Sequence, residues 1–151
     1  MKNHITLIFL SILLCGCSGG YPELGNGYKI VGEGGYETAV VNPENTVMIS
    51  GYILDYATDS DFILISQSPS DSLPPMNFLL YTDSDREEIA MDNTIYRTYW
   101  IIVKNQPNKY SYDSTTQFAT YSNVHGPFNK LEYRNLRSRL NVSNDLKLLN
   151  E

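Results

Sequence analysis

The stretch "DYATDSD" gathers Asp55, Asp59 and Asp61 within seven residues. Calcium takes about six to eight oxygen ligands, so three carboxylates at this spacing form a candidate Ca²⁺ site. Carboxylates can also share acid and base work in a hydrolase, where the separation of a pair sets the course of the reaction. The spacing departs from an EF-hand loop, which alternates Asp or Asn, has Gly at its centre and closes on Glu. A hairpin turn competes with both readings, because Asp and Ser in turns bond their own backbone. The turn is the preferred reading.

Other groups invite chemistry less. His125 is the only histidine beyond the first 16 residues; it has no Cys partner, and a lone imidazole cannot build a multi-histidine metal site. No G-x-S-x-G elbow is present to pair with it. Its place before Gly126-Pro127 reads as a turn. "GNGYKIVGEGG" resembles a phosphate loop loosely, but Ile30 stands where G-x-G-x-x-G needs Gly. No cofactor is expected. The 12 tyrosines fit strands, and exposed ones would suit a glycan- or protein-binding surface.

Only two cysteines occur, Cys15 and Cys17. They follow Met1-Lys2-Asn3-His4 and the apolar run "ITLIFLSILL", which covers residues 5–14. A permanent bilayer helix needs about 20 apolar residues, so this run matches the core of a signal peptide instead. Leu14-Cys15-Gly16-Cys17 resembles the bacterial lipobox. That resemblance implies cleavage after Gly16, diacylglycerol on the sulfur of Cys17, and loss of Cys15 with the signal. A C-x-C pair is too tight for an ordinary disulfide and lacks further cysteines for zinc. The expected organisation is a lipoprotein signal peptide over 1–16, a lipidated Cys and flexible tether over 17–27, and one domain over 28–151.

Net charge is −6, against a nucleic-acid partner, since phosphate binding needs a basic surface. The imbalance is uneven. Residues 17–113 carry 5 basic and 14 acidic side chains, while 114–151 carry 5 basic and 3 acidic. Asp71-Ser72-Leu73 and Asp113-Ser114-Thr115 resemble the O-glycosylation triplet of Bacteroidota.

The elements that must position these residues read mostly as strands. "YKIVGEGGYETAVV" (28–41) suggests two short strands around a glycine turn. "TVMISGYILDY" (46–56) is apolar at both parities, which predicts a central strand covered on both faces. "FILISQ" (62–67) completes a hairpin with it. Further strands are expected at 77–82, 94–105 and around "QFATYS". Asn129 and Glu132 form a capping box, and Phe128 with Tyr133 a hydrophobic staple. Leu136 and Leu140 continue the stripe of Tyr133. A helix is therefore predicted over 130–140, stopped at Asn141, with Lys130, Arg134, Arg137 and Arg139 on its outer face. The expected fold class is α+β: an antiparallel sheet of five to six strands with one C-terminal helix packed on it.

Tyr56, Asp59 and Asp61, Phe62-Ile63, Gln67, Trp100-Ile101-Ile102, Gly126-Pro127, Leu136 and Leu140 together resemble an uncharacterised family of small bacterial lipoproteins, a domain of unknown function. The resemblance implies secretion and lipidation and no activity. The resulting expectation is an envelope protein anchored in the cell membrane or outer membrane through Cys17. Its domain would bind a protein partner without catalysis, in one version as immunity against a toxin met through the acidic loops. The alternatives are a carbohydrate- or calcium-binding module, and a carboxylate-dependent hydrolase using Asp59 and Asp61.

Overall fold

The computed structural model describes residues 21–33, 37–68, 97–114 and 118–149. The strands are β1 (Glu23–Gly25), β2 (Tyr28–Val31), β3 (Ala39–Val41), β4 (Val47–Ser50), β5 (Ile53–Thr58), β6 (Phe62–Gln67), β7 (Thr98–Val103), β8 (Tyr110–Asp113), β9 (Phe118–Tyr121) and β10 (Val124–Phe128). One helix, α1 (Lys130–Arg139), follows among the described residues. Strands β1-β2-β3-β4 form one four-stranded antiparallel sheet in chain order. A second four-stranded sheet has the order β10-β7-β6-β5, and β8 pairs with β9 as a separate ribbon.

The α+β class therefore stands, while the single sheet of five to six strands is corrected to two sheets of four. The cause lies in "TVMISGYILDY". The chain breaks at Gly51, whose φ of 98° suits glycine and few other residues. Before the break β4 is an edge of the first sheet; after it β5 is an edge of the second. Both parities are apolar because the segment changes sheets, not because one strand is central. The strands covered on both faces are β6 and β7, the middle pair of the second sheet.

Alternation along those two strands builds three layers. Ile63, Ile65 and Ile102 meet Leu24, Tyr28, Ile30, Val40 and Ile49 of the first sheet. Leu64, Tyr99 and Ile101 point the other way and meet Tyr133 and Leu136 of α1 with Val142 and Leu148 of the C-terminal segment. Full burial of each such side chain contributes about 1.5–3 kcal/mol. Tyr99 and Tyr133 stack with ring centroids 4.8 Å apart. Leu24 is fully buried, so residues 23–25 of the expected tether form a strand of the first sheet.

Polar side chains fasten the two sheets together. Gln67 accepts from Trp100 Nε1 at 2.7 Å and donates to the Ser50 carbonyl of β4. Asn123 donates to the Tyr28 hydroxyl at 2.9 Å. Thr58 donates to the Leu24 carbonyl at 2.6 Å.

The helix follows its sequence signals. Asn129 Oδ1 accepts from the backbone of Leu131 and Glu132, each at 3.0 Å, and Glu132 returns a bond to the Asn129 N–H. Asn141, at φ 54°, ends the element in the left-handed region. Three strands were not anticipated: β1 in the expected tether, β8 and β10. β8 lies between the strands expected at 94–105 and around "QFATYS". β10 contains Gly126-Pro127, which is cis and reads as a breaker. A side chain at Gly126 would come within 2.6 Å of the Trp100 ring, so glycine lets β10 pass over the indole. The expected strand over 77–82 lies outside the described residues.

Candidate functional site

The acidic turn is the first candidate. Asp59 Oδ1 accepts from the N–H groups of Asp61 at 2.8 Å and Phe62 at 2.7 Å. Asp61 accepts from Asn105 Nδ2 and from Ser60 Oγ. Asp55 belongs elsewhere: opposite Ser66 in the ladder, it faces the helical layer and accepts from the Leu149 N–H at 2.6 Å. The turn also has its own cation. Lys104 is buried, and its Nζ donates to Thr58 Oγ1 at 2.7 Å and to the Asp59 carbonyl at 2.5 Å. Desolvation pulls the Lys104 pKa below its ordinary 10.5, against the pull of the Asp59 and Asp61 charges. The structure does not bring Asp55, Asp59 and Asp61 together, and among the described residues no three His, Cys, Asp or Glu side chains cluster as metal ligands.

His125 sits within β10 opposite Ile101, not in a turn. Directly opposed residues share a face, so its ring lies on the helical side of the second sheet. Its Nε2 is buried without a hydrogen-bond partner, and desolvation pushes its pKa below the ordinary 6.5. The imidazole is therefore neutral at physiological pH.

The ribbon of β8 and β9 offers an aromatic face. Tyr110 and Tyr112 alternate onto one side and are 60% and 54% exposed. Tyr110 meets Tyr121 edge-on, with centroids 5.5 Å apart. Strand propensity put tyrosines here, and the exposure of that face follows from the ribbon pairing with neither large sheet.

A groove of about 740 Å³ lies between α1 and the C-terminal segment. Arg134, Arg137, Ser138, Val142, Lys147 and Leu148 supply much of its lining. Arg137 does not belong to the outer face expected for it. It is buried, donates to the carbonyls of Ser143 at 2.9 Å and Leu146 at 2.5 Å, and lies 5.6 Å from the Tyr133 ring centre. These bonds hold the 143–146 turn against the helix and so shape the wall of the groove. Arg134 and Lys147 are exposed beside it, and Asp145 is the one carboxylate of the lining. Val142 and Leu148 are buried within the lining, while Leu149 is 90% exposed. Sequence reasoning missed this groove because its walls come from two segments. One signal was available: Arg137 lies at i+4 from Tyr133, between Leu136 and Leu140 on the buried stripe.

A family model described as "Protein of unknown function (DUF3997)" matches residues 25–150. The chain belongs to that family. The DUF3997 match begins at the end of β1 and runs past Leu149, so the last three strands of the first sheet, the whole second sheet, α1 and the groove all lie within it. No curated protein and no solved structure matches the chain. Cys17 and Asp71-Ser72-Leu73 lie outside the described residues, as does Thr115 of the second triplet. No described helix is long and apolar enough to cross a membrane.

Proposed function

We propose that this is a lipid-anchored envelope protein of the cell or outer membrane, held through Cys17, whose domain binds a protein partner and catalyses no reaction. Residues 1–16 act as the lipoprotein signal peptide, and the residues between Cys17 and β1 act as the tether. Support for the anchor is the basic start, the short apolar run and the Leu-Cys-Gly-Cys box. Two or three acyl chains, at about 0.8 kcal/mol for each buried methylene, hold such a protein firmly. The observation that carries the binding reading is the open groove beside α1, with exposed Arg134 and Lys147 at its walls. An immunity-type role is one version, and it moves the contact from the acidic loops, whose Asp59 and Asp61 are committed to the turn, to this groove.

Metabolic labelling with a palmitate analogue tests the anchor. Wild type is expected to take the label and Cys17→Ser to lose it; an unlabelled wild type sinks the anchor. Affinity capture from the native envelope tests the partner, with Cys17→Ser as the mislocalised control. Wild type that returns no protein above the control defeats the binding reading.

A second reading rests on Tyr110 and Tyr112. Exposed aromatic faces on a ribbon suit stacking against sugar rings. A glycan panel read by tyrosine fluorescence would detect this, with Tyr112→Ala losing the response. A flat response from wild type across the panel counts against it.

A further inference from the structure

We infer that the groove between α1 and the C-terminal segment takes an acidic, extended peptide segment of the partner protein. The inference deepens the protein-binding reading and rests on it. Charge complementarity selects the occupant. The chain as a whole is at −6, yet the groove is lined by Arg134, Arg137 and Lys147 against Asp145 alone. Attraction must then be local and salt-sensitive, because beyond a Debye length of about 8–10 Å the net charge of the domain opposes it.

The lining divides the work. Arg137 is spent on the carbonyls of Ser143 and Leu146, so it fixes the wall. Arg134 and Lys147, both exposed, are the groups that would meet carboxylates. Leu149, 90% exposed, adds apolar surface beside the cations, while Val142 and Leu148 close the floor as part of the core. The Leu149 N–H is pinned to Asp55, which holds the far end of the segment in place. A volume of about 740 Å³ exceeds the needs of a lone inorganic anion and accommodates several side chains. An occupant that alternates acidic and apolar residues matches this lining.

Position favours a peptide over the anchoring bilayer. The chain enters the fold at β1, in the first sheet, while the groove lies beyond the opposite face of the second sheet. Packed sheets alone stand about 10 Å apart, with the helical layer further still. The strand at which the chain enters and the groove therefore belong to layers on opposite faces of the second sheet.

The test uses the full chain purified from the envelope and reconstituted in phosphatidylcholine vesicles. The probe is a fluorescein-labelled decapeptide of alternating glutamate and leucine, read by anisotropy, beside the same peptide with glutamine for glutamate. The glutamate peptide is expected to bind and the glutamine peptide to bind at least about tenfold more weakly. Arg134→Glu with Lys147→Glu should weaken the glutamate peptide by about tenfold or more, and Lys130→Glu, outside the groove, by less than about twofold. Both groove positions are exposed, so an unchanged thermal melt is expected to accompany the loss. Equal affinity for the two peptides, or an equal effect of Lys130→Glu, overturns the inference. So does loss of peptide binding when about a third of the lipid is exchanged for phosphatidylglycerol, which would make the bilayer the occupant. Envelope capture separates this failure from that of the wider reading. A partner held equally by wild type and by the double variant ends the groove inference and leaves protein binding standing; a partner held by neither ends both.

Discussion

The two faces of the second sheet are closed in different ways. Towards the first sheet, side-chain hydrogen bonds cross the interface from Gln67, Asn123 and Thr58, and they land on a carbonyl or a hydroxyl of the opposite layer. Towards the helix, the cover is assembled from α1 and a C-terminal segment with no regular structure. It is held by Tyr133, Leu136, Val142 and Leu148 inside, and by Arg137 and Asp55 at its margins. A sheet meets a sheet over a broad area and leaves little open. A helix beside an irregular segment leaves a channel between them, and here that channel is lined with charge. The difference teaches where a ligand can be admitted without opening the core: on the face closed by the smaller, pinned pieces.

Breaking the pins should show which face depends on single residues. Arg137→Met keeps a long side chain and removes the guanidinium. Each charge-assisted bond contributes about 1.5–3 kcal/mol, so a loss of about 3 kcal/mol is expected in urea unfolding. Amide exchange across 142–149 should accelerate while the first sheet keeps its protection. An unchanged midpoint would show that the segment is held by its apolar contacts alone. Gln67→Leu acts on the other face. It leaves the Ser50 carbonyl and the Trp100 N–H without their partner, at a cost of about 1–2 kcal/mol. Here exchange should rise in β4 and leave 142–149 untouched. Asp55→Ala removes the acceptor for Leu149 and should cost about 0.5–1 kcal/mol. Its signature is fraying confined to the last described residues, detected as faster exchange at Leu149. If faster exchange spreads through α1 instead, the segment and the helix form one cooperative unit.

The contrast between the faces was only partly visible in the sequence. The capping box of Asn129 and Glu132 is local, and its hydrogen bonds are those the residue types dictate. The turn at Asp59 is equally local. The strands "FILISQ" and "YWII" were identified, but their burial on both faces depends on layers that come from distant parts of the chain. The apolar run 46–56 misled because hydrophobic parity reports burial and not which sheet does the burying. Gly51 was the clue, since a glycine inside a strand pattern marks a bend or a close approach. β10 was hidden because Gly-Pro reads as a turn, while the need for glycine at 126 comes from the Trp100 ring of a neighbouring strand. For the groove, charge obscured position: four cations on one helix suggested a solvated face, while the stripe that runs through Tyr133 and Leu136 already assigned Arg137 to the interior.

The smallest expected effect concerns the helical face and is a change of slope. His125 lies on that face with Nε2 buried and without a partner, and burial lowers its pKa from 6.5. Above that value the imidazole is neutral in the folded and the unfolded chain and contributes no pH dependence. As pH falls through 6.5, the unfolded chain takes up a proton that the folded chain resists, so stability declines. The decline levels off once pH has passed below the folded-state value. His125→Gln keeps a polar side chain and removes the titration. Urea midpoints measured from about pH 7 down to about pH 5 should therefore fall more steeply for wild type than for the variant. Parallel curves would mean that the ring gains a partner or reaches water on that face, and the helical cover would then be looser over β10 than over β6 and β7.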